Sequence, residues 1–284
     1  MKLGLIITAG GSASRYSGAG GLRHKLDEDL GGRPVLQRTV ELFVKHEGLT
    51  GVLSTIIVAG PAESPDPSAY KEFRERHADR LGLLGARIVP GGAEHRWQSV
   101  LAALEHVPSE CTHIAVHDAA RPCASGEMID RVVDLAARFP AVVPGVELGD
   151  TIKEAVETDK AANAPDPLAA ILGESDRSKE RLRVVTRTMP REGVFLIQTP
   201  QVFEAGLLRA AYTNAAAWTK EGMRITDDSA LVERLLAAET PVRRVALARG
   251  DVRNIKITRP ADLDLARHIL GVRAPEGRAT HKKF

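Results

Sequence analysis

Short apolar runs alternate with amphipathic segments along the first part of the chain, and this alternation restricts the folds that it can adopt. The apolar runs are short, rich in aliphatic residues, and occupy residues 3–8, 53–59, 87–89 and 113–116. The segments between them have helical spacing and occupy residues 34–43, 70–84 and 97–107. Such an alternation is typical of buried parallel strands joined by helices. The pattern predicts an α/β fold, with a mostly parallel sheet and helices on both of its faces.

The ends of these strands indicate where a ligand would bind. In open parallel sheets, ligands bind beyond the carboxyl ends of the strands. The loops that follow Thr8, Val89 and Val116 all leave the sheet at that edge, so we expect them to lie together at the site.

The pattern changes after about residue 140. Strands are predicted at 141–146, 151–156 and 184–188, and the last two are expected to pair as a projecting β-arm. The polar residues 157–183 include Pro165 and Pro167, which predicts an insertion that is partly disordered or forms a short helix near 168–172.

The remaining residues return to alternating helices and strands. Helices are predicted at 204–217, 228–238 and 260–270, and a strand at 242–247. We therefore expect a single domain over residues 1–272, with the arm and insertion at about 149–192 and a basic, polar tail at 273–284.

The composition excludes several classes of protein. The 284 residues are 43% hydrophobic and 27% charged, which is enough to build a large core. A net charge of +2 gives no positive surplus for a nucleic-acid backbone, so no nucleic-acid partner is expected. No apolar run reaches the roughly 18 residues of a membrane span, and the apolar start is too brief for a signal peptide. Cys111 and Cys123 are too few for a disulfide scaffold, and we expect a cytoplasmic protein.

A glycine-rich loop, AGGSASRY, directly follows the first strand. A lysine, Lys25, follows Arg15 of this loop by ten residues. The candidate phosphate-binding residues are therefore Ala9, Gly10, Gly11, Ser12, Arg15 and Lys25. Small residues let backbone N–H groups approach phosphate oxygens, and the two cations suit a triphosphate. The spacing matches neither a Walker loop nor a dinucleotide fingerprint. A flexible glycine turn with two solvated charges explains the loop alone equally well.

An aspartate stands at the end of the fourth strand, in the segment VHDAARP. Asp118 can hold Mg²⁺, because this ion binds one or two carboxylates together with phosphate oxygens. The alternative is a structural pair between Asp118 and Arg121. His117 is interpreted as a packed histidine, since no His or Cys spacing in the chain builds a zinc site.

Three later segments carry further candidates. RNIKITRP is predicted as a late strand that enters a helix, where Lys256 is either partly sheltered beside a phosphate or a surface lysine on an edge strand. Thr199 in QTPQ offers a hydroxyl from an extended segment. In ITDDS, helix capping is expected of Asp227 or Asp228.

Together these segments resemble the 2-C-methyl-D-erythritol 4-phosphate cytidylyltransferase family of the non-mevalonate isoprenoid pathway. VHDAARP, QTPQVF, ITDDSAL and NIKITRPADLDLA occur in the family's order and approximate spacing, and the resemblance runs from Leu5 to about Leu270. It implies a Rossmann-like nucleotidyltransferase fold with an extended arm that interlocks two subunits. It also implies that CMP is transferred from CTP to 2-C-methyl-D-erythritol 4-phosphate with release of pyrophosphate.

The resemblance assigns catalytic roles to four residues. It gives Arg15 and Lys25 the stabilisation of the pentacoordinate α-phosphate of CTP. Arg191 and Lys256 match positions that orient the sugar phosphate for attack, and Thr151 matches another contact to that phosphate.

The same resemblance assigns binding residues. Gly92 and Ser99 match nucleotide contacts that select cytosine, beside the small residues of the glycine loop. Asp118 would lie near the metal and the ribose, supported by Arg121, and Thr199 is expected at the substrate. The implied cofactor is Mg²⁺ or another divalent cation, and the implied partners are CTP, a small alditol phosphate and a second copy of the chain.

The sequence departs from the family pattern in places, and other functions stay open. The glycine loop has Gly10 and Ala13 at its small positions, GGAEHRWQS has one extra residue before its arginine, and the insertion falls within the arm. A cytidylyltransferase for another alditol phosphate, such as ribitol 5-phosphate, shares the same motifs. A nucleotide-sugar enzyme for another base and a non-catalytic nucleotide-binding protein are more distant alternatives.

Overall fold

The computed structural model describes residues 1–11, 13–21, 23–157, 183–239 and 244–273. The chain divides into two compact units, of which the first comprises residues 1–146 and the chain from 197 onwards, and the second residues 147–196. Ser12, almost all of the predicted insertion and all but the first residue of the predicted tail lie outside the described residues.

The strands are numbered in chain order. They are β1 (Leu3–Thr8), β2 (Leu53–Ala59), β3 (Ala86–Val89), β4 (His113–Asp118), β5 (Ala141–Glu147), β6 (Ile152–Glu157), β7 (Arg183–Met189), β8 (Phe195–Ile197), β9 (Gln201–Glu204) and β10 (Ala246–Arg249). The sheet of the first unit has the order β10–β5–β9–β4–β1–β2–β3. All neighbours in it are parallel except β9, which pairs antiparallel with β4 and β5. The predicted mostly parallel α/β sheet is therefore confirmed.

Helices cover the sheet. They are α1 (Ser14–Gly18), α2 (Val35–Val44), α3 (Ser68–Gly82), α4 (Arg96–Leu104), α5 (Gly126–Ala136), α6 (Ala205–Thr213), α7 (Ala215–Lys220), α8 (Asp228–Glu239) and α9 (Pro260–Ile269), with a 3₁₀ turn at Glu47–Leu49. Buried apolar residues form two clusters, because successive side chains of a strand point to opposite faces. Leu5 and Ile7 of β1 belong to one cluster and Ile6 to the other. Among the described residues, no helix is long and apolar enough to span a membrane, and both cysteines are free and buried.

The structure corrects the predicted strand around Lys256. Residues 250–259 form no strand and lead as an extended loop into α9. The backbone N–H of Ile257 donates to the carbonyl of Ala120, at 2.8 Å, so this segment is tied to the loop after β4. Its apolar residues pack against another loop instead of forming part of the sheet. A short apolar run looks the same in the sequence in both cases.

The predicted helix at 204–217 is also corrected. It is divided into α6 and α7 at Asn214, whose side chain donates to the carbonyl of Ala210 at 3.0 Å. Asparagine and threonine side chains compete in this way with helix hydrogen bonds. The helix α5 was not predicted from the sequence, although its apolar face is buried.

In the second unit, β6 and β7 pair antiparallel, with Ile152 opposite Met189 and Val156 opposite Val184. The expected pairing of these two strands as an arm is therefore confirmed. Their large apolar side chains stay exposed, by 52% for Val156, 48% for Val184 and 55% for Val185.

Candidate functional site

Three loops meet at the carboxyl edge of the sheet, as expected from the strand ends. They follow β1, β3 and β4 and surround a cavity of about 340 Å³. Its lining includes Ala9, Gly10, Gly11, Lys25, Gly92, Arg96, Ser99, Asp118 and Lys256. A concave site of this size, with a few convergent polar groups, is typical of small-molecule binding.

The glycine loop passes very close to the end of β2. A Cβ atom on Gly10 would lie 2.4 Å from the carbonyl oxygen of Gly60, which no side chain could tolerate without a backbone shift. Residue 10 is therefore kept without a side chain beside the cavity, where backbone N–H groups can face a ligand.

The second loop is fixed by Ser99 on α4. Its hydroxyl accepts a hydrogen bond from the backbone N–H of Gly92 at 3.0 Å. Gly92 has no room for a side chain, since an added Cβ would lie 2.1 Å from Cβ of Gln98. The two residues that the family resemblance assigns to cytosine selection are thus in direct contact at the cavity wall.

Asp118 is the anionic centre of the site. Its Oδ2 accepts from Lys256 Nζ at 2.8 Å and from Arg121 Nε at 3.3 Å, while Oδ1 faces Arg96 Nε at 3.4 Å. Burial would raise the pKa of this carboxyl, but the charges of Arg96 and then Lys256 outweigh it and hold the pKa far below its usual range. Asp118 is therefore ionised at every pH at which the protein would work.

His117 precedes Asp118 and is fully buried. Its Nε2 bonds the carbonyl of Arg121 at 3.1 Å, its Nδ1 lies 3.1 Å from the Thr199 hydroxyl, and burial lowers its pKa to about 4. The packed role predicted for this histidine agrees with these contacts.

Lys25 lines the cavity, whereas Arg15 lies on α1 as an exposed residue and does not belong to the cavity wall. The predicted contact of Arg15 with the α-phosphate stays a prediction. Within the described part of the chain, no ion pair engages Lys25. The pKa of Lys25 is lowered, mainly by burial and then by the positive charge of Lys256. Asp118 opposes this decrease, and the charge of Arg15 adds to it. Among the described residues around the cavity, four cationic side chains outnumber three carboxylates: Lys25, Arg96, Arg121 and Lys256 against Glu94, Asp118 and Asp228. This excess of positive charge favours a polyanionic ligand.

A second cavity of about 460 Å³ adjoins the first. The two cavities share Arg96, Asp118 and Lys256 in their walls. Thr199 lines the second one, but its hydroxyl is occupied, since it accepts from the backbone N–H of Asp118 at 3.0 Å. The structure therefore gives Thr199 a supporting contact to Asp118, and its contact with a substrate stays a prediction.

Arg96 is a residue that the sequence reasoning missed. It is the first residue of α4, and Nη1 donates to the carboxylate of Asp228 at 2.9 Å. Asp228 is fully buried at the start of α8 and also accepts from the hydroxyl of Tyr212. Burial opposes the charged form of Arg96, but Asp228 and then Asp118 raise its pKa well above the ordinary value. The arginine in R-x-x-S was visible in the sequence, whereas its two acidic partners lie far along the chain.

The neighbouring Asp227 performs the capping expected of this segment. Its carboxylate accepts from the backbone N–H of Ala230 at 3.3 Å and from Gln201 at 2.8 Å. Capping therefore belongs to Asp227, and Asp228 is the buried partner of Arg96.

Thr151 and Arg191 lie in the second unit, where both are exposed. The guanidinium of Arg191 donates to the carbonyl of Gly149. Their predicted contacts with a sugar phosphate stay predictions.

The donor set around Asp118 fits Mg²⁺ only together with phosphate oxygens. No group of three His, Cys, Asp or Glu residues capable of holding a metal occurs among the described residues. One carboxylate at a cavity wall satisfies the usual protein share of a magnesium site, in which a nucleotide supplies further ligands.

Comparison with known proteins agrees with this geometry. The sequence profile of the 2-C-methyl-D-erythritol 4-phosphate cytidylyltransferase family matches residues 3–179 and 167–272. The chain is 35% identical to an enzyme of that name from Frankia casuarinae, over 95% of this chain and 81% of the relative. It is also 35% identical to one from Symbiobacterium thermophilum, over 95% and 93%. The crystal structure of the enzyme of that name from Thermus thermophilus superposes with a TM-score of 0.62 at 29% identity, covering 96% of this chain and all of the other.

Proposed function

Because the chain belongs to the 2-C-methyl-D-erythritol 4-phosphate cytidylyltransferase family, we propose that it transfers CMP from CTP to 2-C-methyl-D-erythritol 4-phosphate and releases pyrophosphate. The observation that carries the proposal is the pair of adjoining cavities, which share Arg96, Asp118 and Lys256. Two substrates could therefore meet at one cationic point, as a group transfer between them requires.

The reaction is an in-line displacement. An oxygen of the substrate phosphate attacks the α-phosphorus of CTP, and the bond to the β-phosphate oxygen breaks as pyrophosphate leaves. The attacking phosphate is already anionic, so no general base is needed. The protein contributes position and positive charge, with Arg15 and Lys25 at the α-phosphate and Lys256 between the two cavities.

The magnesium requirement is part of this proposal. Asp118 would hold the ion together with the phosphates of CTP. When bound, Mg²⁺ adds positive charge at the triphosphate and favours the departure of pyrophosphate. The contacts of Asp118 with three cationic side chains keep its carboxylate ionised for that purpose.

We also propose that the protein works in the cytoplasm as a homodimer joined through the arm. The exposed valines of β6 and β7 support the dimer, since a two-stranded sheet is only marginally stable without a covering surface.

Pyrophosphate release from CTP tests the activity directly. With Mg²⁺ present, we expect turnover with 2-C-methyl-D-erythritol 4-phosphate and little or none with ribitol 5-phosphate. Removal of the metal by EDTA should abolish turnover, and added Mg²⁺ should restore it. Preference for ribitol 5-phosphate would overturn the proposed substrate, and no release with either compound would overturn the proposed activity.

A further inference from the structure

A histidine that precedes Lys25 connects the two phosphate-facing segments of the site. Nε2 of His24 lies 3.1 Å from the carbonyl oxygen of Gly11 in the glycine loop. The backbone N–H of Leu26 donates to Nδ1 of the same ring at 3.3 Å. One imidazole therefore bridges the glycine loop and the turn that carries Lys25.

These two contacts require one protonation state. A carbonyl can only accept, so Nε2 must carry a proton, and a backbone N–H can only donate, so Nδ1 must not. Only the neutral imidazole protonated at Nε2 satisfies both. Protonation at Nδ1 would place two donors against each other at Leu26 and break the contact within the turn.

The other end of the turn is anchored on α3. Asp27 Oδ1 lies 2.7 Å from Nε2 of the buried His77, and Oδ2 lies 3.2 Å from Nε of Arg76. The backbone N–H of Asp27 also donates to the carbonyl of His24 at 2.8 Å. Lys25 is thus carried by a turn fixed at both ends, and the end towards the glycine loop depends on His24.

We propose that His24 is a positioning residue for phosphoryl transfer, whose neutral form holds the glycine loop and Lys25 in the arrangement that binds the triphosphate of CTP. This inference rests on the proposed function, because it assigns CTP to the cavity. Lys25 has a long flexible side chain, so its reach towards a phosphate depends on the backbone that carries it.

The groups that face His24 favour the neutral form at pH 7. Burial is the largest influence and lowers the pKa below the ordinary value of 6.5. The Gly11 carbonyl and then Asp27 oppose this decrease, whereas the charges of Lys25 and of Arg76 on α3 add to it. His24 is therefore neutral at and above neutral pH and gains its proton only on the acid side of pH 6.5.

Two variants separate the two contacts. His24→Gln places an amide donor within reach of the Gly11 carbonyl, and His24→Asn places an acceptor within reach of the Leu26 N–H. Each loses one hydrogen bond, and we expect kcat/KM for CTP at pH 8 to fall about three- to tenfold in each. His268→Gln, on the exposed face of α9, is the matched control and should leave kcat/KM unchanged.

The deciding measurement is the ratio of kcat/KM for CTP between the wild type and His24→Gln from pH 5 to 8.5. Ionisation of the substrates cancels in this ratio. We expect the wild-type advantage to shrink towards one as the pH falls below 6.5, because wild-type His24 then loses its contact with Leu26 as well. A ratio that stays constant over the whole range, or that equals one at pH 8, would overturn the proposal.

Nitrogen-15 chemical shifts of the imidazole, assigned with His24→Gln, give a readout that needs no turnover. They should show the neutral form protonated at Nε2 and a titration below pH 6.5 in the free protein. A neutral form protonated at Nδ1 would overturn the inference even if the enzyme is active. The expected shifts in a protein that releases no pyrophosphate would instead place the failure in the proposed function.

Discussion

At the scale of single residues, Lys25 and Lys256 have different surroundings although both line the cavity that we propose for CTP. Lys256 Nζ is 2.8 Å from Asp118, whereas no ion pair engages Lys25 within the described ranges. We predict that Lys25→Ala and Lys256→Ala each lower kcat by about 10²- to 10³-fold, because each removes positive charge from the transition state. Pyrophosphate release checks this, with the exposed Lys71→Ala as control. Turnover that stays at the wild-type rate in either cavity variant would contradict the assigned roles.

The sequence predicted many of the residues that line the cavity, because strand ends in a parallel sheet converge. Gly10 and Asp118 follow or end adjacent parallel strands, so their proximity required only the strand assignment. Arg96 was missed because its partner Asp228 lies 132 positions further on, and no local pattern links them. The contact between His24 and the Gly11 carbonyl was likewise not predicted, because it forms only when the turn folds against the glycine loop.

At the scale of elements, the pair of Arg96 and Asp228 joins the first residues of α4 and α8. The Asp228 side chain has no exposed surface. If a neutral residue replaced it, Arg96 would keep Asp118 but lose its buried carboxylate partner. We predict that Asp228→Asn lowers the free energy of unfolding by about 3–5 kcal/mol, as expected for breaking a buried ion pair. Urea denaturation at pH 7 measures this.

The matched control for that prediction is an exposed pair on one helix. Glu72 and Arg76 lie 3.3 Å apart on α3, where the Glu72 side chain is 65% exposed and that of Arg76 is 45% exposed. Glu72→Gln should cost less than about 1 kcal/mol, since exposed pairs contribute little. Equal losses in the two variants would show that burial of Asp228 does not add to the strength of the pair.

Elements with strong periodicity were predicted from the sequence, and those set by long-range pairing were not. The strand β1 and the helix α3 required only local patterns of apolar residues. The short strand β9 was missed, because its antiparallel place between β4 and β5 depends on residues far from it in sequence. The loop around Lys256 was wrongly predicted as a strand, because its apolar residues look like a strand in the sequence but pack against another loop.

At the scale of the whole molecule, the arm presents apolar side chains that are exposed in the described part of the chain. Val156 and Val184 are opposite each other on β6 and β7, and both are about half exposed, as is Val185. We predict a homodimer of twice the 30.6 kDa chain mass by light scattering, and its dissociation by Val185→Asp, which adds charge to the apolar surface. Leu83→Asp, at an exposed position after α3, should leave the mass unchanged. A monomeric wild type at high concentration would contradict the dimer.

The proposed dimer would also determine where a complete site is assembled. If the arm of one copy supplies Arg191 to the cavity of the other, a subunit with Lys25→Ala and a subunit with Arg191→Ala complement each other, because one of the two sites in the mixed dimer keeps both residues. Each variant alone should be nearly inactive. Mixing equal amounts under conditions that exchange subunits should restore about a quarter of wild-type turnover, from statistical pairing in a twofold dimer. Pairing Lys25→Ala with Lys256→Ala, both of which line the same cavity within one chain, should restore none. Absence of recovery in the first mixture, with subunit exchange verified by light scattering of tagged chains, would place Arg191 in the site of its own subunit or outside any site.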